Sequence, residues 1–559
     1  MLGSRKMWVL HITVLLLLLP PSLTTVSEGF KSETCKAGAC MADFDTSTEG
    51  RLQPIGLFKD VTEEVDFSEI QVVEGKVPDW LSGSMYKVGV GAFNVGSRRV
   101  NNVIDALSKV YRWSFKPGKA PSFSTKFLKT GIYNRSIDDG ELVPHKVVGD
   151  ILPPVSTFEK VKMALWDSAR DNNNITPWKL KGRDGITVTG ESPLLFDVEK
   201  VNLDFLEKYK FFNKGSFVKE FMSASHYARH PTTGDSYNYV YMTGLDKGLL
   251  TGVEPGYEMI RVTQDESGKA VGEVVGFIKS SMSDIRIIHS LGVTENYVIL
   301  PRLSLRADLN STFHVCSNIV FDDKAPTYMH VMSINDGSYK TFEFPSFISV
   351  HIVNSFERTN EKGETEVVLD YPTLTTMEGF NHERCYYEIL NIEYMLSDQF
   401  SYRKDFKPLT DVTIRRFVMN MATGKGEVLD HPKLWKPQIL HVDFPFVNDN
   451  FRGKPFCVVY FHTIQWDNRN AMGILKLDLC KQTSANWDDF NLFPVEPVFV
   501  PRPGAVEEDD GVLMSPVYDA RTETSELYIW NAKDMKVIAR LSSPVLVPWT
   551  NHGMWLPEE

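Results

Sequence analysis

The sequence predicts an all-β protein, and two observations carry that reading. From about Glu74 onward the chain is a series of short β-branched and aromatic runs, each bounded by Gly, Asn, Asp or Pro. Tyr237–Met242, Tyr297–Leu300, Glu366–Asp370, Cys457–Phe461 and Leu527–Trp530 are examples. Helical periodicity, by contrast, is scarce. The best helix is Phe158–Asp167, with Phe158, Val161 and Leu165 on one face. Many short strands without repeated βαβ spacing leave a barrel, a sandwich or a propeller.

The histidines favour the propeller. Four of them sit in similar local settings, where a strand-like segment begins: His226, His289, His351 and His552. Their separations are 63, 62 and 201 residues, the last being three intervals of 67. One position repeated in every blade, used in four blades and passed over in two, gives this rhythm. Inner-strand residues of different blades converge on a central channel, so residues far apart in the chain can meet one ion. Neutral imidazole suits Zn, Cu, Fe or Ni. Four imidazoles leave a divalent charge uncompensated, and carboxylates behind the rings would offset it while fixing their tautomers. Four unrelated structural histidines would read the same way from spacing alone.

The chain has 559 residues and a formal net charge of −12, which argues against nucleic acid as a partner. Arg5 and Lys6 precede the apolar run Met7–Leu19, which Pro20 and Pro21 end. That run is shorter than the ~20 residues of a membrane span and reads as a secretory signal. The expected organisation is a signal peptide over 1–25, a flexible tail over 26–55 and one propeller domain over 56–559. The expected location is secreted, extracellular or in the secretory-pathway lumen. Sequons at Asn134, Asn174 and Asn310 agree with export and a glycoprotein, although Pro177 weakens the second. The six cysteines are Cys35, Cys40, Cys316, Cys385, Cys457 and Cys480. Their even number permits disulfides and leaves 15 pairings open.

The words around the histidines resemble the carotenoid cleavage oxygenase family, over about Glu74 to Trp555. Val77-Pro-Asp-Trp-Leu-Ser-Gly-Ser84 and Gly89-Val-Gly-Ala-Phe93 look like the family's opening strand and turn. The segments at His289 and His351 fit its H-S-x-G-x-T-x-N-Y and H-x-x-N-x-[YF]-E phrases. Glu496-Pro-Val-Phe-Val-Pro501 and Glu507-Glu-Asp-Asp-Gly511 match further phrases, and Asn551-His-Gly resembles the closing histidine. The resemblance implies a seven-bladed β-propeller with a helical and loop cap over one face. It also implies Fe(II) on His226, His289, His351 and His552. His230, in a His-Pro pair, competes with His226, but the register of Thr233-Gly234 favours His226. Three carboxylates are implied behind the rings: Glu191, Asp443 and Glu496.

The chain departs from the pattern in four places. Asp443 stands where the family has Glu and is one methylene shorter, so a direct reach to its imidazole is in doubt. Ile104-Asp-Ala106 replaces Phe-Asp-Gly, which puts that turn in doubt because Gly alone adopts positive φ freely. Pro153-Pro154-Val155 lacks the cysteine that several vertebrate members carry. The signal peptide itself is the fourth departure.

The implied activity is a non-haem Fe(II) dioxygenase that cleaves a carotenoid or apocarotenoid double bond with O2 to aldehyde or ketone products. No catalytic side chain is expected beyond the metal centre. Two alternatives share the site: a secreted carotenoid- or retinoid-binding protein without cleavage, and a retinyl ester isomerohydrolase. Phe158, Val161, Leu165 and Trp166, with Lys160 and Lys162, also suggest peripheral membrane contact.

Overall fold

A computed structural model describes residues 52–558, except 146–150, 157, 160–170, 212–217, 245–253, 282, 308–318, 375–411, 436–438, 466–470 and 490. The signal peptide, most of the flexible tail, Cys35, Cys40, Cys316, Cys385, Asn310, Val161, Leu165 and Trp166 lie outside the described residues.

The described residues include seven antiparallel sheets of four or more strands, and each is one propeller blade. Their first or inner strands follow one another around the ring. Blade 2 starts at Thr176–Trp178, blade 3 at Val218–Ser223 and Ala228–Arg229, and blade 4 at Gly292–Val293. Blade 5 starts at Asn354–Thr359, blade 6 at Ile439–Phe446, and blade 7 at Leu492–Pro494 and Val498–Pro501. Blade 1 is closed by the end of the chain: Thr550–Pro557 pairs with Gly83–Ala92 as its innermost strand. Blade 7 takes its outermost strand from the start, where Val72–Gly75 pairs with Val537–Ser542. Both ends are thus hydrogen-bonded across the same seam, so the ring cannot open without breaking two ladders.

Gly89 makes the first closure possible. A Cβ there would lie 2.5 Å from the Trp549 carbonyl oxygen and 2.7 Å from Thr550 Cα, so only glycine lets the last strand lie against the first. Between blades the space is filled by large apolar side chains. Trp113, Tyr460, Phe499 and Trp530 form one such layer beneath blades 1, 6 and 7. At about 25 cal/mol per Å² of apolar area removed from water, such layers supply the main stabilisation of the ring. In blade 6, a disulfide joins Cys457, just before the second strand, to Cys480, just after the third.

Four of the five strands expected from sequence lie within observed strands, and the fifth, Cys457–Phe461, begins one residue before the observed Val458–Gln465. The helix Gly131–Asp139 was not expected. It buries only Ile132 and Ser136, so its apolar periodicity is faint. Its caps define it instead: Thr130 Oγ1 accepts from Tyr133 N, the Asp171 carboxylate accepts from Gly131 and Ile132 N–H, and Gly140 ends it at φ 65°. Of the expected helix at 158–167, residues 158–159 are helical and 160–167 lie outside the described residues. Two small sheets stand outside the blades, one of Asn94–Val95, Arg98–Val100 and Ile151–Leu152, the other of Leu305–Ala307 and Ile319–Phe321.

The doubt over Ala106 is removed. Its φ is −67°, extended backbone open to any residue, and Asn172 and Asn174 side-chain amides donate to its carbonyl.

Blade 4 contains a buried titratable group remote from the axis strands. His330 lies between Thr341 Oγ1, 2.9 Å from Nδ1, and Arg302, 3.5 Å from Nε2. Burial, aided by the Arg302 charge, pushes its pKa down to about 3, against an ordinary value of 6.5. Below pH 6.5 the unfolded chain therefore binds a proton that the fold refuses. Stability supplied by this group is complete above pH 6.5 and is lost as pH falls toward 3, with a slope of at most about 1.4 kcal/mol per pH unit. His330→Gln should flatten the fall in melting temperature between pH 7 and pH 4.5. An unchanged acid slope in thermal melts of the variant would refute this assignment.

Candidate metal centre

The four expected histidines meet on the axis. His226 belongs to blade 3, His289 precedes the inner strand of blade 4, His351 precedes that of blade 5, and His552 lies on the closing strand of blade 1. One ring nitrogen from each lies within 4.8 Å of the other three. Imidazoles facing each other across an ion at about 2.1 Å would stand about 4.2 Å apart, so the cluster needs only slight contraction to bind. Ring centroids are 4.2 to 5.2 Å apart for five of the six pairs and 6.5 Å for His289–His552.

Each position is pinned by hydrogen bonds between blades. His226 N–H donates to the His289 carbonyl at 3.2 Å, and His552 N–H to the Ile175 carbonyl at 3.2 Å. Ser290 Oγ donates to the Val350 carbonyl at 2.7 Å and accepts from Ile352 N–H at 3.2 Å, bracketing His351. Asn551 Nδ2 donates to the Asn174 carbonyl and its Oδ1 accepts from Trp549 Nε1, both at 2.8 Å. The rings are therefore oriented before any ion arrives.

Three of the rings are held from behind by the three expected carboxylates. Glu191 Oε1 meets His289 Nδ1, Asp443 Oδ1 meets His351 Nδ1 at 2.9 Å, and Glu496 Oε1 meets His552 Nδ1 at 2.7 Å. Each of these imidazoles then carries its proton on Nδ1 and turns Nε2 toward the axis. His351 Nε2 is buried and has no hydrogen-bond partner, and the His226 and His552 Nε2 atoms face each other at 3.1 Å. A buried lone pair left without a donor, in a cluster of four, fits a cation. Burial holds the pKa of His226 well below 6.5 and that of His552 down to about 4, so both present neutral rings.

The carboxylates come from the three blades that supply no histidine. Glu191 lies in the turn of blade 2 after Ile186–Thr189, Asp443 on the inner strand of blade 6, and Glu496 between the two inner segments of blade 7. Every blade thus places one group at the centre.

Asp443 corrects an expectation. Despite its shorter side chain it reaches His351 directly. The reason lies in the backbone: between the pairs Asp443–His462 and Phe446–Tyr460 the strand holds one extra residue, a β-bulge at Phe444-Pro445. Phe444 adopts φ 53°, which for a bulky residue costs on the order of 1 kcal/mol or more. The bulged strand brings Asp443 within reach and lays the Phe444 ring 5.0 Å from His351 and 5.2 Å from His552.

His230 is excluded as a ligand. Its Nδ1 accepts from Thr232 and Thr233 N–H, each at 3.1 Å, and its Nε2 meets the Glu295 carbonyl at 3.0 Å.

Sequence reading missed Lys87. Its side chain is fully buried, its Nζ donates to the Glu496 carbonyl at 2.8 Å and lies 3.5 Å from Glu496 Oε2, and Gly553 N–H donates to the same oxygen at 2.8 Å. Burial draws the Lys87 pKa down to about 8 against the pull of Glu496. Burial pushes Glu496 the other way, but His552, Lys87 and the Gly553 N–H prevail and hold its carboxyl below the usual range. Both stay ionised near neutrality. Its strand, Gly83–Ala92, is buried along its whole length, and no local sequence signal marks the lysine within it.

The family model for retinal pigment epithelial membrane protein matches residues 58–557. Carotenoid cleavage dioxygenase 8 of Arabidopsis thaliana is 25% identical over 506 residues, covering 87% of this chain and 83% of that protein. The β,β-carotene 15,15′-dioxygenase of Rattus norvegicus is 26% identical over 537 residues, covering 87% and 88%. Among solved structures, an apocarotenoid oxygenase of Synechocystis superposes with a TM-score of 0.73 at 20% identity, covering 90% of this chain and 98% of that one. A cobalt-substituted form of the Synechocystis protein gives 0.72 at 20% identity, covering 90% and 99%.

His351→Ala should abolish iron binding, and Asp443→Asn should weaken it about 10–100-fold. His330→Gln should leave it unchanged. Iron content by elemental analysis after equilibration with Fe(II) checks this, and equal occupancy in all three variants would refute the centre. The chain belongs to the retinal pigment epithelial membrane protein family, the iron-dependent carotenoid cleavage oxygenases.

Proposed function

We propose that the chain is a non-haem Fe(II) dioxygenase that cleaves one carbon–carbon double bond of a carotenoid or apocarotenoid with O2, releasing two aldehyde or ketone products. The observation that carries this is the convergence of His226, His289, His351 and His552 on one axis, three of them braced by carboxylates.

These four histidines would hold the iron. When bound, ferrous iron supplies the electron chemistry that brings O2 and a polyene into reaction. The protein's share is orientation and exclusion. Glu191, Asp443 and Glu496 keep the Nδ1 protons away from the axis. The Phe444 ring covers the centre on the side of His351 and His552, and it packs in turn against Trp549 at 6.3 Å. Apolar rings there keep water from competing for the reacting groups. Both oxygen atoms of O2 enter the products, one at each carbon of the broken bond, so no side chain needs to donate or remove a proton.

The binding-protein alternative loses one of its supports, the Asp443 substitution, since Asp443 braces His351 directly. The isomerohydrolase alternative uses the same four histidines and differs in needing no O2.

The expected export completes the proposal. The N-terminal apolar run and the Cys457–Cys480 disulfide support passage through the secretory pathway. The two described sequons are not equivalent. Asn174 is buried and donates to the Ile104 and Ala106 carbonyls, whereas Asn134 is exposed on its helix. Phe158, 69% exposed, supports a peripheral membrane contact of its segment.

Two measurements test this reading. The iron-loaded protein should consume O2 and bleach a carotenoid in proportion. Pigment binding with unchanged absorbance in air would overturn cleavage, and anaerobic turnover of a retinyl ester would favour the isomerohydrolase. In secreted material, Asn134→Gln should lose a glycan released by peptide N-glycosidase, while Asn174→Gln should show no glycan loss. The reverse pattern would contradict the exposed position of Asn134.

A further inference from the structure

Three of the four histidines of the metal centre, His226, His351 and His552, line a cavity of about 180 Å³. Inner-strand residues of the blades wall it, from Pro177 in blade 2 through Ala228, Val293, Asn354 and Phe446 to Met554. It therefore follows the propeller axis. Its volume is close to that of a site for one benzene-sized molecule and far below that of a long polyene.

Two guanidinium groups line this cavity, Arg229 and Arg452. They are not equivalent. Arg452 is ion-paired with Asp449 at 2.5 Å and lies over the Phe446 ring. Arg229 lies 4.9 Å from the Trp178 ring centre and donates one hydrogen bond, to the Lys179 carbonyl at 3.3 Å. Among the described residues no carboxylate stands within ion-pair distance of it. Burial draws its pKa below the usual value, with Asp449 opposing and Arg452 adding to the effect.

The central charges do not call for Arg229. A divalent ion on the four histidines, together with the Lys87 ammonium, balances the Glu191, Asp443 and Glu496 carboxylates. Asp449 is engaged by Arg452. One positive charge is thus left facing a small, partly polar cavity, and a charge so placed is stabilised by an anion. A guanidinium matches a planar carboxylate through paired N–H donors.

We propose that this cavity is a binding site for a small carboxylate oxyanion, of formate or bicarbonate size, held by Arg229 beside the metal centre. This inference rests on the metal reading above, and the experiment separates the two. The chain is loaded with cobalt, its metal content is measured, and formate is titrated by calorimetry and by visible absorption. The expected result is saturable binding that perturbs the cobalt bands. Arg229→Gln should raise the Kd at least about tenfold at equal cobalt content, with Arg229→Lys between the two. No saturable binding, or equal affinity in Arg229→Gln, would overturn the anion site while leaving the metal centre standing. Failure of the wild-type chain to bind cobalt would overturn the metal reading, and this inference with it.

Discussion

Four neutral imidazoles bring no charge to the cation they would hold, and the interior of this propeller is arranged around that deficit. The three compensating carboxylates do not stand beside the histidines in sequence. They come from the blades that contribute no imidazole, so that each hydrogen-bonded ring nitrogen joins two blades: His289 of blade 4 to blade 2, His351 of blade 5 to blade 6, and His552 of blade 1 to blade 7. The bonds that set the tautomers therefore also tie the ring together across its centre. Loss of one carboxylate would remove a charge, a tautomer constraint and a link between blades at once.

This dual use explains why the seam is closed twice. If the blades could shift relative to one another, the ring nitrogens would leave their common centre. Thr550–Pro557 carries His552 into blade 1 only because it is paired along Gly83–Ala92, the strand that also carries Lys87. The same pair of strands thus delivers one ligand, and the cation that faces the carboxylate behind it. Gly553 is confined by this geometry, for a Cβ there would lie 2.6 Å from Val498 Cγ2 and 3.0 Å from Lys87 Cγ. The glycine after His552 is required by packing, and its N–H donates to Glu496.

Much of this was legible in the sequence because propeller blades repeat a position at nearly constant spacing. The histidine intervals gave the axis, and local strand composition gave the ladders. The carboxylates were legible only through resemblance, since nothing in the spacing of Glu191, Asp443 and Glu496 marks them. Lys87 and Arg229 were not legible. A lysine or arginine in a strand normally points to solvent, and only the closure of the ring turns these two toward the axis. The helix Gly131–Asp139 was hidden for a different reason: caps made by Thr130 and by the distant Asp171 hold it, and periodicity does not report long-range caps.

Asp443 shows how far side-chain length alone misleads. The expectation compared two side chains on a fixed backbone. The strand is not fixed: the extra residue at Phe444-Pro445 interrupts pairing in the inner strand, where a proline is tolerated because no ladder donor is needed at a bulge. The unfavourable φ of Phe444 is offset by its ring packing against His351, His552 and Trp549. Reach, strain and packing are thus coupled in three consecutive residues. Asp443 and the bulge that follows it act together in placing the acceptor 2.9 Å from His351 Nδ1.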